Sequence, residues 1–173
     1  MGAPDGQIPS IVVSNTGPIL HLAEIDSWNL LRPLNHVQIP PAVDAELVRL
    51  CHAWPTQRPD WIDTQLLEAA PKRNAEDWLN AGLLHRGEAE ALALAHHRKA
   101  TWFLTDDTAA RFLAKSQGLE VHGTLGILLW NAAMGIITKP DALTKLANLR
   151  QSSLWLSAKV MASARDALEQ MVD

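Results

Sequence analysis

The chain is almost without cysteine: Cys51 is the only one in 173 residues, so no internal disulfide can form and stability does not depend on an oxidising compartment. Long apolar runs are also missing. No stretch approaches the roughly 18 residues that a membrane span needs. The opening MGAPDGQIPS has neither the basic-then-apolar order of a signal peptide nor the Ser or Thr at its sixth position that myristoylation requires. A soluble, cytoplasmic protein with no membrane partner is the expectation. There is no Gly-rich phosphate loop and no G-x-S-x-G elbow, and Cys51 has no assigned base, so those chemistries lack a carrier. His96 and His97 are adjacent and diverge on a helix, and no second pair stands at ligand spacing, which argues against zinc. Positive charge is scarce as well. A net charge of −4 speaks against holding nucleic acid by a general positive field, while leaving room for a local basic rim.

What the chain does have is enough apolar material for a core. With 47% apolar and 20% charged residues, disorder is not expected, and the length suits one domain over residues 1–173, with residues 140–173 as C-terminal packing helices. No repeat or low-complexity segment interrupts it. Loops are expected from about Cys51 to Pro59 and at a break near Pro71 to Asn74.

The stretch with the sharpest change of character is TWFLTDDTAAR, residues 101–111. Trp102, Phe103 and Leu104 are consecutive and bulky, as in a strand covered on both faces. Asp106 and Asp107 follow at once, where an open parallel sheet binds its ligands. Either aspartate, or Thr108, also suits the cap of a helix running to about Gln117, and both readings stand. Arg111, four residues after Asp107, has the spacing of a salt bridge on the same helix face.

Three other positions share that character. Ile11 to Val13 reads as a strand, SNTGP as a turn with Pro18 at the first helical position, and ILHLAEI as a helix. Asn15 therefore stands just past a strand end, as a turn residue or a site residue. Val37 to Ile39 reads as a strand stopped by Pro40 and Pro41. In PAVDAELVRL, Val43, Leu47 and Leu50 form the buried stripe, Glu46 falls on it, and Asp44 is expected in solvent. Trp61 to Thr64 reads as a short strand and Ala75 to Leu79 as a helix turn ended near Gly82. HRGEAEALALAHHRK reads as a helix buried nearly all round. Glu88 and Glu90 are about 200° apart on it, so only one of them can serve a given site; Glu88, favoured by the helix dipole at the amino end, is expected inside and Glu90 at the rim. Leu119 to His122 is a last strand, followed by a helix stopped at Gly135 and two helical patterns around Trp155 and Leu156.

A parallel sheet would bring Asn15, Glu46, Glu88, Asp106 and Asp107 to one end. Carboxylates that converge without His or Cys repel one another unless a hard cation is present, and oxygen-only donors point to Mg²⁺ or Mn²⁺. Such an ion can bind a phosphodiester and activate water.

The segments IVVSNTGPILHLAEI, IPPAVDAELV, RGEAEALALA and LTDDTAARFLAKSQGLEVHGTLGILLWNAAMGII, in that order, resemble a PIN domain. The likeness is greatest to a branch of short prokaryotic proteins related to the VapC-type toxin ribonucleases. It runs from about Ile11 to the C-terminus and is weakest over residues 51–80. The resemblance implies an α/β fold, an α/β/α sandwich around a parallel sheet of about four or five strands, and a Mg²⁺ or Mn²⁺ site that cleaves RNA. It places Asn15, Glu46, Glu88 and Asp107 as metal ligands, with Asp106 beside them among the catalytic residues. It further implies RNA as substrate, is compatible with an antitoxin protein as partner, and leaves the assembly open, a homodimer included. The departure is Asn15, where active relatives carry Asp. An amide oxygen still ligates a metal, but with one negative charge fewer. Two functions therefore remain: a metal-dependent ribonuclease, and a catalytically impaired module that binds RNA or a protein partner.

Overall fold

The computed structural model describes residues 8–171; the segment up to residue 7, read above for targeting signals, and the last two residues lie outside the described residues. Five short strands, β1 (Val12–Ser14), β2 (Val37–Ile39), β3 (Ile62–Thr64), β4 (Trp102–Leu104) and β5 (Glu120–His122), pair in parallel in the order β3-β2-β1-β4-β5. The consecutive apolar residues of β1 and β4 are explained by their place: they are the central strand and one of its two neighbours, and every residue in both is buried, as a sheet covered on both faces demands. The chain leaves β1 towards β2 on one side and β4 towards β5 on the other. Strand order thus reverses between β1 and β4, and the crevice beyond their carboxyl ends is the natural ligand site of such a sheet.

The helices are α1 (Thr16–Glu24), α2 (Pro41–Leu50), the single turn α3 (Trp54–Gln57), α4 (Ala69–Asn80), α5 (Arg86–Arg98), α6 (Thr108–Ser116), α7 (Thr124–Ala133), α8 (Lys139–Leu149) and α9 (Ala158–Gln170), with a 3₁₀ segment over Trp28–Leu34. Helix α5 lies on β1 and β4, with α2, α4 and α6 around it; α7 packs with α1 and the 3₁₀ segment and carries α8 and α9. The alanines of α5 explain its central position. Ala89, Ala91, Ala93 and Ala95 are all buried, and side chains this small let α4 come close. Buried residues from Val12 in β1 to Leu168 in α9 form one contiguous core. Among the described residues, no helix is long and apolar enough to cross a membrane.

Several local expectations are corrected. Helix α1 begins at Thr16, so Pro18 is its third residue; this is still the first turn, where the missing N–H has no partner to lose. The loop expected over residues 51–59 contains α3, because Trp54 is 1% exposed and packs edge-on to Trp28 with ring centroids 5.9 Å apart. There is no break at Pro71 to Asn74, since α4 starts at Ala69 and Pro71 again sits in a first turn. Leu50 leaves the buried stripe of α2 and is half exposed, because the helix ends there. Asp44 is not left in solvent: Oδ1 accepts from Trp54 Nε1 at 2.8 Å and Arg58 Nη1 at 3.1 Å.

Candidate active site

The site is assembled by backbone bonds that tie the strand ends together. Asn15 N–H donates to Leu104 O at 3.0 Å, and Thr105 N–H to His122 O at 2.9 Å. Asn15 is thereby held at the first position before α1 with its side chain turned towards β4. Its Nδ2 donates to Thr105 Oγ1 at 2.7 Å, and the same hydroxyl accepts the Asp107 N–H at 3.1 Å. Thr105 thus joins the two segments that follow β1 and β4. Asn15 Oδ1 is left buried with no hydrogen-bond partner, one of four such side-chain atoms among the described residues. It is the one of the four whose residue lines the cleft described next.

That cleft, about 750 Å³, opens beyond the carboxyl ends of β1 and β4 and is lined by Asn15, Glu46, Glu88, Asp106 and Asp107. Of these five, Asn15 and Asp107 are 92 positions apart in sequence. Glu46 reaches in from α2. Its Oε2 accepts from the Thr16 hydroxyl and its Oε1 from the Gly87 N–H at 3.2 Å. Glycine at 87 leaves room for the Glu46 carboxylate in this position, since a Cβ there would stand 2.5 Å from Glu46 Oε2. Glu88, one residue on, turns back so that Oε2 accepts the His85 N–H at 2.8 Å. Burial lifts the Glu88 carboxyl above its ordinary value; the His85 N–H opposes this, and the charges of Asp107 and Glu46 add to the rise. Glu90 is on another side of α5, accepting the Ala42 N–H at the start of α2 and lying 3.6 Å from Arg86.

The two aspartates have different employment. Asp107 caps α6, Oδ1 accepting the Ala110 N–H at 2.7 Å, while it faces the cleft with a second oxygen to spare. Asp106 is saturated. Its Oδ1 accepts the Thr124 N–H at 2.8 Å, and its Oδ2 takes the Thr124 hydroxyl and His21 Nδ1, the latter at 2.8 Å. It anchors the start of α7 and orients His21 at the cleft wall. The Asp107–Arg111 salt bridge expected from their spacing is absent, because Arg111 Nη2 donates instead to the Thr105 carbonyl at 2.8 Å. Gly123 makes room for that arrangement: a Cβ there would lie 2.5 Å from Asp106 Oδ1 and 2.8 Å from Arg111 Nη2.

The donor set suits a hard divalent cation: an orphaned amide oxygen on Asn15 and carboxylates on Glu46, Glu88 and Asp107, with no soft ligand. Among the described residues, no three His, Cys, Asp or Glu side chains lie close enough to cage an ion by themselves. Sequence reasoning missed Thr16, His21, Thr105 and Gly87, which hold the carboxylates and Asn15 in place. Of these only Gly87 had a legible signal, a glycine beside Glu88 at a helix start, where close approach of another group is one of its few uses.

A family model described as a PIN domain matches residues 11–170. No curated protein and no solved structure matches the chain.

Proposed function

The chain belongs to the PIN domain family, and on that premise we propose that it is a Mg²⁺- or Mn²⁺-dependent endoribonuclease. The observation that carries this reading is Asn15 Oδ1, buried and unpartnered in a cleft also lined by Glu46, Glu88 and Asp107 at the switch point of the sheet. PIN domains are as a family nucleases that use divalent cations. In this chain Asn15 and carboxylates drawn from Glu46, Glu88 and Asp107 would hold the ion, with water completing its coordination. When bound, it supplies neutralisation of phosphate charge and makes water a better nucleophile near neutral pH. The residues contribute position and charge. Thr105 aims the Asn15 amide, and Thr16 and the Gly87 N–H hold the Glu46 carboxylate. Water adds to phosphorus and a ribose oxygen leaves with a proton, cutting one P–O bond.

Cleavage of a mixed RNA pool in Mn²⁺, its loss in chelator and its loss in Glu46→Ala are the expected results. Equal cleavage by parent and Glu46→Ala would end the assignment. The second reading, a module that binds RNA or protein without cutting it, is favoured by the neutral amide at position 15. It predicts RNA retention with no products in any metal. The reading extends to a toxin paired with an antitoxin, acting in the cytoplasm as a monomer or homodimer; the toxin role is supported by the resemblance of the ordered segments to that branch. Growth arrest on induction, relieved by co-expression of the adjacent reading frame, is the test for that role.

A further inference from the structure

Trp155 lies in the irregular segment between α8 and α9, lines the cleft, and is 83% exposed. A ring of this size buries roughly 150–250 Å² when it is packed, yet here it stands in water while Trp54, Trp102 and Trp130 are buried. Its segment is held against α1. Glu24 Oε2 accepts both the Ser153 N–H at 2.7 Å and the Ser153 hydroxyl at 3.0 Å, and the Ser152 hydroxyl accepts the Leu154 N–H at 3.2 Å. The ring is therefore presented from a tethered support at the wall of the cleft. The same cleft is lined by Arg49, in the last turn of α2, whose guanidinium makes no hydrogen bond or ion pair among the described residues. An unpaired cation and an exposed aromatic face beside an acidic floor match the two faces of a single-stranded nucleotide, its phosphate and its base.

We propose that Trp155 is a positioning residue that stacks on one unpaired base of the RNA substrate, with Arg49 taking a flanking phosphate, and that this pair selects single-stranded RNA. The proposal rests on the ribonuclease reading for the class of substrate. Stacking on a π-face tolerates any base, so the selection is for strandedness and not for sequence. In a duplex the base faces are already covered by their neighbours, and Trp155 has nothing to stack on.

The test uses the full chain in a Glu46→Gln background with Mn²⁺, to measure binding without cleavage, and a short single-stranded RNA carrying 2-aminopurine, alongside its duplex. The single strand is expected to bind with quenching of the 2-aminopurine emission. Trp155→Ala is expected to weaken that binding roughly tenfold and remove the quenching, Trp155→Phe to restore most of both, and Arg49→Gln to weaken binding while reducing its salt dependence. The duplex should be bound alike by parent and Trp155→Ala. Unchanged binding and quenching in Trp155→Ala overturns the proposal. So does a change of oligomeric state in that variant with RNA binding intact, which would give the ring to a protein contact. If the Glu46 parent cleaves RNA while Trp155→Ala changes nothing, this inference falls and the ribonuclease stands. If RNA binds and stacks but is never cut, the ribonuclease reading falls and the base platform stands. A parent that does neither overturns both.

Discussion

Asn15 and Glu88 carry opposite kinds of electrostatic discomfort. Asn15 is 4% exposed with an unpartnered Oδ1, so the residue tolerates desolvation of an acceptor that a cation would satisfy. Asn15→Asp adds a full charge among carboxylates, raising repulsion in the metal-free protein and attraction once a cation binds. Thermal melting should show the variant less stable than the parent in chelator and more strongly stabilised by Mn²⁺. The increment grows as RT ln(1 + [L]/Kd), about 2.7 kcal/mol at a hundredfold excess. Equal metal responses would remove residue 15 from the site. Glu88 has its carboxyl raised from 4.5 by burial, with Asp107 and Glu46 adding to the shift. The native state therefore holds this proton more tightly than the unfolded chain does. Its stabilising contribution is complete below about pH 4.5 and is lost as pH rises through the raised native value. Glu88→Gln keeps an oxygen for the His85 N–H but never ionises. In chelator, its melting temperature should match the parent's at low pH and exceed it at pH 7 to 8. A difference independent of pH would contradict the assignment.

At the level of elements, the amino ends of α1, α5 and α6 line the cleft and that of α7 is tied to it through Asp106; the last three are each served by a different device. Helix α6 is capped by Asp107, α7 by Asp106 from the turn between β4 and α6, and α5 by Glu88 reaching back while its Gly87 N–H holds Glu46. Capping and site formation are therefore the same contacts, since a helix start offers both free N–H groups and a favourable field for anions. Gly87 separates the two roles experimentally. In a helix, Gly→Ala gains up to about 1 kcal/mol, and the atoms that its Cβ would strike are the far end of the flexible Glu46 side chain. Gly87→Ala should thus melt at or above the parent's temperature while cleavage falls about a hundredfold, as expected when a reacting group is misplaced by about an ångström. A large loss of stability together with activity would mean that the glycine serves the fold alone.

For the whole molecule, everything turns on β1 and β4 lying side by side. Their contact brings Asn15 and Thr105 within hydrogen-bond reach although they are 90 residues apart. Phe103, fully buried at the middle of β4 and paired in register with Val13, holds that seam. Phe103→Ala should cost about 3–5 kcal/mol of unfolding free energy, measurable as a lowered urea midpoint. The stability of the site and of the core should fall together, because both depend on the same strand pair. A loss below about 1 kcal/mol would show that the seam is held elsewhere.

The residues at strand ends and helix starts were legible in the chain because their signals are local. Trp102 to Leu104 followed by Asp106 and Asp107, Val37 to Ile39 stopped by prolines, and the alanine-rich α5 each announce an element and its boundary, and the alternation of strand and helix announces the parallel sheet. The spacing of Glu88 and Glu90 likewise settled that they face different ways. What no spacing contains is the partner of a side chain across the fold. Asp106 and Asp107 are neighbours with equivalent local chemistry, and only Thr124 and His21, brought in from α7 and α1, make one saturated and leave the other with an oxygen to spare. Arg111 has the right spacing for Asp107 and bonds to the Thr105 carbonyl instead. Leu50 fits an apolar stripe and ends half exposed at the cleft. Period and punctuation act within a few residues, so the sequence determines where elements lie and which faces they bury; contacts between residues tens of positions apart exist only once the sheet is formed, and tertiary structure alone decided which carboxylates are spent on structure and which remain for chemistry.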